Sequence, residues 1–136
     1  MDVIKTPIRS SKKDVESFLG ELNEILKGKD FDINCNLLII KSSKEEICYS
    51  TGYTMIDLEY DSSDVVERLK ELTVADYSET LFDNDDDNPP LLFVFGKDIN
   101  GKLIYIKLKV KTEITKRVLC LSFHYAKHKM EFPYKN

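Results

Sequence analysis

Cysteine, glycine and proline are all scarce in this chain of 136 residues. Three cysteines, Cys35, Cys48 and Cys120, with no C-x-x-C pair, provide neither a disulfide framework nor the spacing of a zinc ribbon, so reduced, buried thiols are expected. Five glycines and four prolines exclude a collagenous or broadly disordered polymer. The longest apolar runs, Leu37 to Ile40 and Leu91 to Phe95, fall far short of the ~20 residues a membrane-spanning helix needs, so no membrane association is expected. The opening Met1 to Pro7 has no apolar stretch of signal-peptide length, and a cytoplasmic location is the expectation. Familiar catalytic signatures are missing too: there is no Gly-rich phosphate loop, no G-x-S-x-G and no H-E-x-x-H. His124-Tyr125-Ala126-Lys127-His128 has the histidine spacing of the last, with Tyr125 where the glutamate belongs.

What is present suffices for one folded domain over residues 1–136: 42% of residues are hydrophobic and 32% charged. The formal net charge of −4 hides an asymmetry. Residues 1–96 carry 10 Lys/Arg against 21 Asp/Glu, whereas residues 97–136 carry 10 against 3. A basic end on an acidic chain points to a polyanionic partner or to attraction between the two parts.

Val15, Phe18, Leu19, Leu22, Ile25 and Leu26 have the spacing of one helical face, with Ser11 as N-cap, Asp14 at the third helical position and an end near Gly28. Val65, Val66, Leu69 and Leu72 define a second amphipathic helix from Ser63. Leu37 to Ile40 is a strand by composition, while Glu45 to Tyr60 has mixed polarity and admits more than one reading. Asp83, Asp85 and Asp87 imitate the start of a calcium loop, but Asn88 and Val94 occupy the positions of its glycine and bidentate glutamate, which argues against calcium. Leu91 to Lys97, an Asn100-Gly101 turn and the alternating Leu103 to Lys111 form a hairpin, and Arg117 to Tyr125 adds a third strand.

Alternation puts Ile104, Ile106, Leu108 and Val110 on one face of their strand and Tyr105, Lys107, Lys109 and Lys111 on the other. On the third strand it puts Leu119, Leu121 and Phe123 opposite Val118, Cys120, Ser122 and His124. With both apolar rows on the core, Tyr105, Lys107, Ser122 and His124 share the other face. A zinc site from Cys120, His124 and His128 would need a helix there, so no metal is expected. Tyrosine, lysine and histidine on one sheet face suit metal-independent RNA cleavage: imidazole is base or acid at neutral pH, and an ammonium offsets charge on the phosphate. The same surface read without chemistry is an ordinary solvated one.

Four runs carry a family resemblance: Phe93-Val94-Phe95-Gly96-Lys97, Gly101 to Lys109, Val118 to Ala126, and Phe132-Pro133-Tyr134. Together with Leu72 to Ser78 they resemble the MqsR family of motility quorum-sensing regulator toxins, over residues 63–134, while residues 1–62 match only as a helix and a strand. The resemblance implies an α+β, RelE-like fold with N-terminal helices on one face of an antiparallel sheet. It also implies a type II toxin–antitoxin endoribonuclease acting on mRNA without a cofactor, and a cognate antitoxin as partner. Matched by motif, Tyr105, Lys107 and His124 are the candidate catalytic residues, with Lys109 and Lys97 as RNA-binding candidates. Ser78 stands where the pattern has a lysine, and the loop after it is acidic. The alternative is a catalytically silent protein-binding module on the same fold.

Overall fold

The computed structural model describes residues 7–41, 46–82 and 91–136. In chain order it contains α1 (Lys12–Leu26), β1 (Leu37–Ile39), α2 (Thr51–Leu58), α3 (Ser62–Lys70), β2 (Tyr77–Leu81), β3 (Leu92–Ile99), β4 (Lys102–Lys111) and β5 (Arg117–Tyr125). The calcium-like Asp83, Asp85 and Asp87 lie outside the described residues. No helix among the described residues is long and apolar enough to cross a membrane.

Helix α1 starts where Ser11 accepts a hydrogen bond from the Asp14 amide, and all six of its expected apolar residues are buried. Helix α3 begins one residue earlier than its apolar spacing suggests, because Asp61 and Asp64 close a reciprocal capping box. Both pack on one face of the sheet, where Phe18 stacks on Phe93 with ring centroids 4.2 Å apart. The ambiguous 45–60 stretch contains α2: Ser50 caps it by accepting from the Tyr53 amide, and Thr51, Thr54 and Met55 are its buried positions.

The five strands run in the order β1-β5-β4-β3-β2. The expected antiparallel sheet is in fact mixed, since β1 pairs in parallel with β5 while the other neighbours are antiparallel. The β3–β4 hairpin closes through Asn100 and Gly101, both at positive φ (55° and 84°), as a two-residue turn with right-handed strand twist requires.

A second correction concerns β5. Lys107 pairs with Ser122, but Leu108 pairs with Cys120, so Leu121 is an extra residue that β4 does not match. The insertion reverses the alternation upstream of it. Val118 and Cys120 face the helices, fully buried beside Phe123, whereas Leu121 sits with Tyr105 and Met130 on the opposite face. Only Cys120 meets the expectation of buried thiols; Cys35 and Cys48 are exposed. The Asp32 carboxylate holds the Cys35 thiol above its ordinary pKa by charge repulsion.

Strand β1 covers only the first part of β5, and beyond it α2 satisfies the exposed edge. The Thr51 hydroxyl accepts from the Phe123 amide at 3.0 Å and that of Thr54 from the Tyr125 amide at 3.2 Å, a helical i, i+3 pair matched to a strand i, i+2 pair. The far edge, β2, is closed by Ile8, which exchanges two backbone hydrogen bonds with Thr80. Thr51→Val keeps the shape of the side chain and strands the Phe123 amide. A loss of about 1–3 kcal/mol in urea unfolding is expected, with faster hydrogen exchange at Phe123.

Candidate functional site

On the face away from α1 and α3, a cleft of about 580 Å³ has Tyr105, Lys107, Ser122 and His124 on its floor. Register builds the floor: Tyr105 lies directly opposite His124, and Lys107 opposite Ser122. The Tyr105 and His124 rings stack with centroids 5.2 Å apart and planes inclined by 15°. Such a pair contributes about 0.5–1.5 kcal/mol beyond burial and holds both rings in place. His124 Nδ1 lies 2.9 Å from the Tyr125 carbonyl oxygen, an acceptor, so Nδ1 carries the proton and the neutral ring keeps its lone pair on Nε2. Both rings and Lys107 are half-buried, which gives them access to a ligand and partial shelter from water.

One wall is the start of α2, with Tyr49, Ser50 and Thr51. The other is the C-terminal segment, whose Lys127, His128, Lys129, Met130 and Glu131 follow β5 back across the sheet. Several contacts hold this strap. The Ser78 hydroxyl donates to the Glu131 carbonyl at 2.7 Å, Phe132 lies over Gly96, and the Tyr134 hydroxyl donates to the Ser10 carbonyl at 2.6 Å. Tyr134 also stacks on the buried Tyr77, whose hydroxyl accepts from the Ser10 amide. Ser78 is itself an extra residue in the β2–β3 pairing, so both irregularities of the sheet, Ser78 and Leu121, line this one cleft.

The structure brings Tyr105, Lys107 and His124 together and separates the two RNA-binding candidates from them. Lys97 pairs with Ile104 in the sheet, which puts it on the helix-bearing face, where its ammonium is 3.2 Å from Glu71. Lys109 has the parity of Lys107, yet it is only 3% exposed and does not line the cleft. Cys120 and His124 occupy opposite faces of the sheet, so the Cys/His/His zinc set does not converge. Among the described residues no group of three or more His, Cys, Asp or Glu is placed to hold a metal ion. Sequence reasoning missed the walls: Ser50 as a helix cap was the one available signal for α2, and nothing in the pattern marked the strap as folding back.

Cleft-lining charge among the described residues is three lysines against two glutamates, Lys107, Lys127 and Lys129 against Glu79 and Glu131. Lys127 is also paired with Glu46 at 2.9 Å. Next to the cleft, Tyr125 donates its hydroxyl to the Asp57 carboxylate, and burial followed by Asp57 pushes its pKa up to about 12. Comparison of the chain with protein-family models, with curated proteins and with solved structures finds no match.

Two predictions test this geometry. A Cβ at Gly96 would stand 2.7 Å from the Phe132 ring, so Gly96→Ala displaces that ring and loosens the strap; limited proteolysis should then cut within 127–131 faster than in the wild type. Tyr125 is neutral in the fold and its pKa there exceeds the unfolded value near ~10, so the stability it contributes is complete below that pH and is lost as the pH rises through about 12. Alkaline absorbance titration should show a late-ionising component that is lost in Tyr125→Phe and ionises earlier in Asp57→Asn.

Proposed function

We propose that the protein is a type II toxin of the MqsR kind, a metal-independent endoribonuclease that cleaves mRNA in the cytoplasm and is silenced by a cognate antitoxin. The observation that carries this reading is the stacked Tyr105–His124 pair beside Lys107 on the floor of one cleft. The mixed sheet with helices on one face is compatible with the RelE-like fold that the motif resemblance implies.

On this reading Nε2 of His124 takes the proton of a ribose 2′-hydroxyl. The 2′-oxygen then attacks the adjacent phosphorus, the bond from phosphorus to the 5′-oxygen breaks, and a 2′,3′-cyclic phosphate remains. The leaving oxygen receives its proton from the Tyr105 hydroxyl or from the imidazolium formed in the first step. Lys107 offsets the charge that builds on the phosphoryl oxygens. Lys97 and Lys109 have no part in this scheme, given where they lie.

Inducible expression should arrest growth, and the purified protein should cleave RNA in the presence of chelator. His124→Ala should slow cleavage by about 10²–10⁴-fold, the range typical of one acid–base group, with Tyr105→Phe also impaired and circular dichroism unchanged in both. Harmless wild-type expression together with intact RNA would replace this reading by a catalytically silent binding module.

A further inference from the structure

We propose that the aromatic hollow beside the cleft, formed by Tyr49, Tyr53, Tyr125 and Lys102, is a subsite that stacks a nucleobase of single-stranded RNA. The base belongs to the nucleotide adjoining the one in the cleft. The inference rests on the ribonuclease reading and adds the strandedness of the substrate and a second contact point.

The hollow measures about 380 Å³, within the ~300–1,000 Å³ usual for small-ligand pockets. Tyr49 lines both it and the cleft, so the two spaces meet at that residue. Tyr53 and Tyr125 stand nearly perpendicular, 6.5 Å between centroids at 70°, so a flat ring stacked on one meets the edge of the other. The corner is preorganised: the Tyr125 hydroxyl is fixed by Asp57 and its amide by Thr54. Tyr53 remains 39% exposed, a large aromatic surface left open to solvent.

Two of its rings have an ammonium over them, one from Lys102 in the hollow and one from Lys127, which lines the adjoining cleft. Lys102 Nζ is 4.8 Å from the Tyr125 centroid, and Lys127 Nζ is 5.8 Å from that of Tyr49. Aromatic faces interleaved with cations are what a single strand needs, since each base offers a π-face and each link a phosphate. Paired bases in a duplex have no free face to offer, which makes the hollow selective for unpaired RNA. The exposed Asp57 carboxylate repels phosphate, so the backbone runs along the Lys102 side.

The test is fluorescence anisotropy with the full chain and a short single-stranded oligonucleotide, 2′-O-methylated so that it cannot be cleaved, beside a mononucleotide of the same chemistry. Tyr53→Leu should raise Kd for the oligonucleotide by about five-fold to a hundred-fold and leave the mononucleotide unaffected. Tyr53→Phe should restore binding, and Lys102→Gln should weaken it and flatten its salt dependence. Unchanged affinity in both Tyr53→Leu and Lys102→Gln, or equal affinity for a duplex of the same sequence, would overturn the subsite. Cleavage of unmodified RNA without Tyr53-dependent binding removes the subsite and keeps the ribonuclease. Tyr53-dependent binding without cleavage does the reverse.

Discussion

Side chains along a strand alternate with a period of two, and one unmatched residue reverses every position beyond it. In β5 that residue is Leu121. Without it, a strand that buries Phe123 beside Ile106 would also bury Leu119 and turn Val118 and Cys120 outward. With it, Val118 and Cys120 fill the core, and Ser122 and His124 still meet Lys107 and Tyr105 on the other face. A core and a polar face are both built from one nine-residue strand because its two halves have opposite parity.

Two walls then convert a flat polar face into a cleft, and each exists because a backbone edge or a gap has to be filled. β1 is three residues long and leaves the end of β5 unpaired, so α2 supplies hydroxyl acceptors there and brings Tyr49 and Ser50 to the rim. Gly96, opposite Tyr105, has no side chain, and Phe132 occupies that space, drawing the C-terminal segment across β3 toward Ser78. The cleft is a consequence of edge satisfaction at one side and gap filling at the other.

These origins explain what was legible beforehand. α1, α3 and the β3–β4 hairpin have strong local signals, a six-residue apolar face, a helical repeat and an Asn-Gly turn, and each forms close to where the pattern puts it. The convergence of Tyr105 and His124 was legible because only the half of β5 beyond Leu121 determines it. The Cys120 face, α2 as a helix and the parallel pairing of β1 were not, because each depends on a partner distant in sequence: β4 for the bulge, the bare β5 edge for α2, and β5 itself for β1. The position of Lys97 away from the cleft was not legible for a related reason. Its strand was recognised, but its face follows from the pairing with Ile104.

The charge asymmetry takes a form that bears on affinity. Lys97, Lys116 and Lys127 from the basic end pair with Glu71, Glu24 and Glu46 from the acidic part, so the two parts do attract each other. Exposed pairs of this kind contribute about 0–1 kcal/mol each, so a phosphate arriving at Lys127 displaces Glu46 at small cost. Lys97 and Lys116 do not line the cleft, and among the described residues three lysines against two glutamates make it only slightly positive. Beyond a Debye length of ~8 Å the chain's net −4 and the phosphates' own charge are screened from one another. A polyanion is therefore not drawn in from a distance. On the proposed reading it is held by short-range contacts, and the ring faces placed for them are those of His124 and Tyr105 in the cleft and of Tyr53 and Tyr125 beside it. Stacking depends on shape and on unpaired bases and little on net charge, so the acidity of the chain does not conflict with the proposed single-stranded RNA substrate.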